Sequence, residues 1–82
     1  MSYQRSTRYA LYAAIEMAAA PANRLVTAAE VATKYALPPT VLAKIFQRLA
    51  RAGLAIGARG TTGGYRLARP AAEVSVLEVV VL

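Results

Sequence analysis

Apolar residues recur through the first half of the chain with the 3.6-residue period of helices, and over residues 54–68 with the alternation of strands. From Ser6 or Thr7, either of which can cap a helix, to Ala20, the residues Leu11, Ala14, Ile15 and Ala18 fall at i, i+3, i+4 and i+7 and form one core stripe. Tyr9, Ala13, Met17 and Ala20 form a second apolar stripe. Two apolar faces on one short helix imply contacts on two sides, and only one of them can be the domain's own core. Pro21 and Asn23 break the pattern.

Thr27-Ala28-Ala29-Glu30 has the spacing of a capping box, so a second helix starts at about residue 28, with Ala28, Val31, Ala32 and Tyr35 as its stripe. The turn Ala36-Leu37-Pro38-Pro39 must end it, because the residue before a proline is pushed out of helical geometry. Pro39 suits the first position of a third helix, and Leu37 is placed to staple onto Leu42. Leu42, Ile45, Phe46 and Leu49 give that helix its apolar face, with Thr40, Lys44, Gln47, Arg48 and Arg51 opposite; Gly53 fits a left-handed cap.

Beyond Gly53, Leu54 and Ile56 are expected inward with Ala55 and Gly57 outward, then Tyr65 and Leu67 inward with Arg66 and Ala68 outward. Between them three glycines within five positions mark a tight turn, with Arg59 and Arg66 at its two ends. Ser75-Val76-Leu77-Glu78 is another capping box and opens a last helix that runs into Val79-Val80-Val81-Leu82. The pattern predicts a mainly α domain with a small two-stranded β wing, a winged helix-turn-helix: helix-turn-helix over about 28–52 and wing over about 54–68.

That architecture gives the polar residues a meaning. The third helix, Pro39 to Ala52, is the candidate recognition helix, with Thr40, Val41 and Lys44 on the first turns that reach base edges and Arg48 and Arg51 further along. Arg59 at the wing tip suits a narrow minor groove, and Arg66 adds charge at the wing's other end. Arg5, Ser6, Thr7 and Arg8 surround a helix N-terminus, where amides and basic side chains hold a backbone phosphate. An ordinary solvated helix face explains any one of these charges; the conjunction of basic helix and basic wing explains them together. Tyr9, Tyr12, Tyr35 and Tyr65 occupy or flank apolar stripes and are expected to be structural.

Composition sharpens this. In 82 residues there are ten Lys and Arg against four Asp and Glu, a net charge of +6, and eight of the ten bases are Arg. Such a balance suggests a polyanionic partner, and the guanidinium fork matches phosphate and guanine edges. Hydrophobic residues make up 57% of the chain, above the roughly 45 to 50% of average domains, which hints at an unmet packing face. Cysteine and histidine are absent, which excludes disulfides, thiolate and imidazole catalysis, and a cluster held by this chain's own thiolates. The carboxylates Glu16, Glu30, Glu73 and Glu78 are dispersed, and two are used as helix caps, so an enzyme is not expected. Tyr9–Ala20 does not read as a signal peptide, because Glu16 interrupts it and its flanks fit a helix, and Val79–Leu82 is far too short to cross a membrane, so a cytoplasmic protein is the expectation.

Two rival readings are of other classes. A phosphate-cradling nucleotide site would use the glycine turn, but the G-x-x-x-x-G-K-[ST] order is missing and a strand, not a helix, follows. A winged-helix protein-interaction module would dock an acidic partner on the basic face.

Arg8-Tyr9-Ala10-Leu11, Ala29-Glu30-Val31-Ala32, Leu42 to Leu49 with Ala52-Gly53-Leu54, and above all Arg59-Gly60-x-x-Gly63-Gly64-Tyr65-Arg66-Leu67-Ala68-Arg69-Pro70 resemble the N-terminal domain of the IscR, NsrR and RirA type of bacterial regulator, also called the Rrf-two or BadM family. Val76-Leu77-Glu78-Val79-Val80 resembles the helix after that family's wing. The resemblance implies a dimeric transcription factor, commonly a repressor, on a palindromic double-stranded DNA operator. It also implies Thr40, Val41 and Lys44 at base-contacting positions and Arg59 as the minor-groove arginine. Several members bind an iron-sulfur cluster through three cysteines beyond the wing; those positions, and the long dimerisation helix, would lie past Leu82. The second stripe on helix one and the valine run are what a helix absent from this sequence would leave uncovered.

Overall fold

In the computed structural model, which describes residues 5–21, 24–58 and 63–80, helices α1 (Arg5–Ala19), α2 (Ala28–Tyr35) and α3 (Pro39–Arg51) precede strands β1 (Ala55–Ala58) and β2 (Gly64–Leu67), a 3-10 turn (Ala71–Glu73) and helix α4 (Val76–Val80). The boundaries follow from local chemistry. Thr27 Oγ1 accepts the Glu30 N–H at 3.1 Å while Glu30 Oε1 accepts the Thr27 N–H at 2.7 Å, so two donors left over at the start of α2 are satisfied. Ala36 closes α2 in a left-handed conformation, φ 56°, and the Leu37 N–H returns to the Ala32 carbonyl at 2.8 Å. The turn lies where the prolines predict it, but Ala36 ends the helix before their steric demand is felt. Pro39 begins α3, and Gly53 closes it at φ 78°.

Leu42, Ile45, Phe46 and Leu49 of α3 are all buried, facing Val31 and Ala32 of α2. From α1 the core takes Ala10, Ala13 and Met17, with Tyr9 and Ala20 packed at its margin. Ala13 and Met17 of the second stripe thus enter the core, while of the first stripe only Leu11 and Ala14 pack against it, also at its margin. Leu11, Ala14, Ile15 and Ala18 instead line an apolar groove of about 140 Å³ shared with α4, and Ile15 is 54% exposed. Periodicity defines two faces without ranking them. Against the bulky inner row of α3, the small side chains of Ala10 and Ala13 let the helices approach, where Leu11 and Ile15 would overfill the space. In the C-terminal valine run, Val79 is buried and Val80 half-buried, while Val81 and Leu82 lie outside the described residues; Val76 and Leu77 ahead of it are exposed.

In the wing, the register Ala55↔Leu67, Ile56↔Arg66, Gly57↔Tyr65 puts Ala55 and Gly57 on the same face as Tyr65 and Leu67, with Ala55 buried and Gly57 still exposed at the wing's outer end. Ile56 therefore points outward beside Arg66 and is 43% exposed, contrary to the alternation expected from sequence. Leu54 is buried as expected, but it belongs to the Gly53 turn, so the strand's phase begins at Ala55. A Cβ on Gly57 would lie 3.0 Å from the Tyr65 ring, so any side chain there would have to push that ring aside by a few tenths of an ångström. That ring stacks on Phe46 at 4.8 Å, while the Tyr65 N–H and carbonyl pair with Val26 at 2.7 and 2.8 Å. The wing is thus fixed to α3 by a ring and to the start of the α2 segment by backbone.

A polar strut ties α1 to α2. Tyr12 stacks on Tyr35 at 4.4 Å, the Tyr35 hydroxyl donates to Glu16 at 2.8 Å, and Lys34 Nζ donates to both Glu16 oxygens at 3.0 and 3.1 Å. The Lys34 and Tyr35 hydrogen bonds hold the Glu16 carboxyl below its ordinary value, and the same carboxylate raises Lys34 and Tyr35. A depressed carboxylate stabilises the fold above its unfolded pKa and stops doing so as pH falls through the folded one. Glu16→Gln is therefore expected to cost about 0.5–1 kcal/mol at neutral pH and to flatten the acid limb of stability against pH. Urea titrations of both proteins from neutral to acidic pH check this; parallel acid limbs would contradict it.

Candidate nucleic-acid interface

The α2–α3 connection is only Ala36, Leu37 and Pro38, so α3 follows α2 through a tight corner and presents one face outward. With its apolar row turned inward, Thr40, Lys44 and Arg48 fall at i, i+4 and i+8 along the exposed side, with Gln47 and Arg51 beside them. All five are exposed and α3 contains no acidic residue. Arg48 and Arg51 in the last turn also complement the carbonyl end of the helix dipole. Val41 sits differently: it is half-buried and packs against the core, so it has only an edge to offer a ligand.

Arg8 is exposed on the first turns of α1. Ser6, Thr7 and Ala10 of that helix share a small crevice with Arg48 and Val79, which places the α1 N-terminal end beside the outer face of α3. Arg66 is exposed on β2, on the outer side of the wing with Ile56. Arg59 follows β1 and lies outside the described residues. The basic groups on α1, α3 and β2 therefore belong to three elements packed on one core.

The sequence pattern assigns Arg24 no role and places Arg69 only within the wing motif. Arg24 Nη2 donates to Glu30 Oε2 at 2.5 Å, and Arg69 Nη2 donates to Glu78 Oε1, so each clamps the free oxygen of a capping-box carboxylate. Glu78 is held below the ordinary carboxylate range chiefly by the Ser75 N–H and then by Arg69. A signal was present: a capping glutamate spends one oxygen on the helix and leaves the other for a cation. The four tyrosines expected to be structural all pack against the core margin.

A basic outer helix on a three-residue corner with an anchored two-stranded wing is the winged helix-turn-helix form of DNA-binding domain. The profile of the Rrf2 family, described as iron-dependent transcriptional regulators, matches residues 3–82, and the chain belongs to that family. It is 42% identical over its whole length to a protein called BadM from Rhodopseudomonas palustris, and 40% identical over 81 residues to the HTH-type transcriptional regulator IscR of Cereibacter sphaeroides. It spans 52% of each, about half their length. Its fold superposes on oxidized CymR of Staphylococcus aureus with a TM-score of 0.88 at 29% identity, covering 98% of this chain and 64% of that one. The family is one of regulators, not of enzymes. The iron its description implies does not fit the donors present: the chain has neither cysteine nor histidine, and no group of three His, Cys, Asp or Glu able to hold a metal occurs among the described residues. No helix among the described residues is long and apolar enough to cross a membrane.

Proposed function

We propose that this domain binds duplex DNA sequence-specifically, as the reading head of a transcriptional regulator that represses from a palindromic operator as a homodimer. The observation that carries the reading is the exposed, acid-free row Thr40, Lys44 and Arg48 on α3, with a wing anchored to that helix by the stack of Tyr65 on Phe46. In this reading α3 enters the major groove by its first turns, where Thr40, Lys44 and the edge of Val41 meet bases. Arg48, which shares a crevice with Ser6 and Thr7 of α1, and Arg8, exposed on the first turns of that helix, hold backbone phosphate. Arg59 enters the minor groove and Arg66 follows the phosphates alongside it. No cofactor is assigned to this chain's residues. Cytoplasmic placement belongs with a DNA target.

Arg59→Ala is expected to weaken operator binding by about 1–3 kcal/mol and to relax preference at flanking A·T steps. Gel shifts with operator variants test this, and unchanged affinity and preference would remove Arg59 from the interface. Binding should also fall steeply with salt and be competed by non-specific duplex. Salt-insensitive behaviour with no duplex affinity would instead favour an acidic protein as the partner of the basic face.

A further inference from the structure

Arg24, Arg66 and Arg69 line one cleft of about 170 Å³ between the C-terminal end of α1 and the far end of β2, together with Met17, Leu67 and Pro70. That is far more room than the roughly 10–15 Å³ a single water requires. Three arginines lining one space repel each other unless acceptors lie close by.

Two acceptors are supplied, and both are helix-capping carboxylates used in the same way. Glu30 gives Oε1 to the Thr27 N–H and Oε2 to Arg24; Glu78 gives Oε2 to the Ser75 N–H at 2.8 Å and Oε1 to Arg69. Arg69 Nη1 also donates to the Glu73 carbonyl at 3.4 Å. Arg66 makes no ion pair or hydrogen bond among the described residues. Because each guanidinium offers five N–H donors, most donors around the cleft have no acceptor among the described residues. Two of the three side chains are already ordered by their glutamates, so a ligand that bridges them meets a partly prearranged fork with less entropy left to lose.

We propose that this cleft is an oxyanion site that takes a phosphoryl or carboxylate group between Arg66 and the two clamped arginines. The group can be borne by a small free anion or by the DNA backbone beside the wing; the second source rests on the DNA-binding reading above, and the first does not.

Titrating the chain with inorganic phosphate at constant ionic strength, followed by the NMR signals of the arginine Nε–H groups, tests the site itself. A saturable shift at Arg24, Arg66 and Arg69 is expected, weakened roughly tenfold (about 1.4 kcal/mol) in Arg66→Gln. Arg24→Gln, on a different element, should weaken it similarly. A parallel measurement of duplex affinity against salt separates the sources: Arg24→Gln, a residue outside the DNA contacts proposed above, lowers the slope of log K on log salt by about one if a backbone phosphate occupies the cleft, and leaves it unchanged if a free anion does. Non-saturating phosphate shifts together with an unchanged salt slope would overturn the proposal. Wild-type chain that binds no duplex at all would refute the DNA reading and leave the phosphate titration to decide this one.

Discussion

Phe46→Ala is expected to cost about 3–5 kcal/mol, enough to leave the chain largely unfolded at 25 °C. A domain of 82 residues buries only roughly 60–65% of its unfolded surface, and domain stabilities begin near 5 kcal/mol, so a loss of this size consumes most of what is available. Phe46 has no exposed surface, and it joins two parts of the molecule. On α3 it lies in the buried row with Leu42, Ile45 and Leu49; across the interface its ring stacks on Tyr65 at 4.8 Å and 18°. Truncation therefore opens a cavity and removes an aromatic pair worth about 0.5–1.5 kcal/mol beyond area burial. Urea denaturation followed by far-UV circular dichroism measures the loss. The neighbouring Gln47→Ala, on the exposed face, should change stability by less than about 0.5 kcal/mol. A Phe46→Ala protein less than 1 kcal/mol weaker would mean that the wing can collapse onto α3 and refill the space.

Much of this arrangement is legible in the sequence because its signals are local. The capping boxes at Thr27 and Ser75, Pro39 at the first position of α3 and Gly53 after its end each specify a boundary by hydrogen bonding or backbone conformation within a few residues. The buried row of α3 is legible for another reason: its opposite side is continuously polar, so only one face can turn inward. α1 lacks that contrast. Both its stripes are apolar, and the choice between them depends on what α3 presents, which no window on α1 contains. The inward phase of β1 failed similarly, since the buried Leu54 belongs to the preceding turn and shifts the count by one at Ala55.

The candidate interface divides along the same line. Thr40, Lys44 and Arg48 are readable as an exposed row because helical spacing alone brings them together. The cleft of Arg24, Arg66 and Arg69 joins residues 42 and more positions apart in part, and its organising contacts are the second oxygens of Glu30 and Glu78. Sequence identifies those glutamates as caps but does not reveal which cation takes the remaining oxygen.

Gly64→Ala carries the second large expected effect, and it separates folding from reading. Gly64 begins β2 at φ 158°, and a Cβ there would lie 2.9 Å from the Val26 carbonyl oxygen, 3.1 Å from its carbonyl carbon and 3.0 Å from Leu25 Cβ. Two of those neighbours are backbone, which cannot rotate away, so the strand itself must move. Doing so stretches the paired bonds between Tyr65 and Val26, the backbone tie between the wing and the segment leading into α2. A cost of about 2–3 kcal/mol is expected, typical of overfilling a closely packed contact. The core rows of α1, α2 and α3 do not include this contact, so a folded population should persist with its helical signal intact. In that population the wing would be tilted, carrying Arg66 away from the position set by the stack of Tyr65 on Phe46. Operator affinity should then fall further than stability alone explains, whereas preference at the bases facing Thr40 and Lys44 should be retained. Measuring binding by anisotropy at a temperature where circular dichroism shows the variant folded distinguishes the two effects. Wild-type affinity in the folded variant would show that the wing's seat on Val26 does not set its grip on DNA.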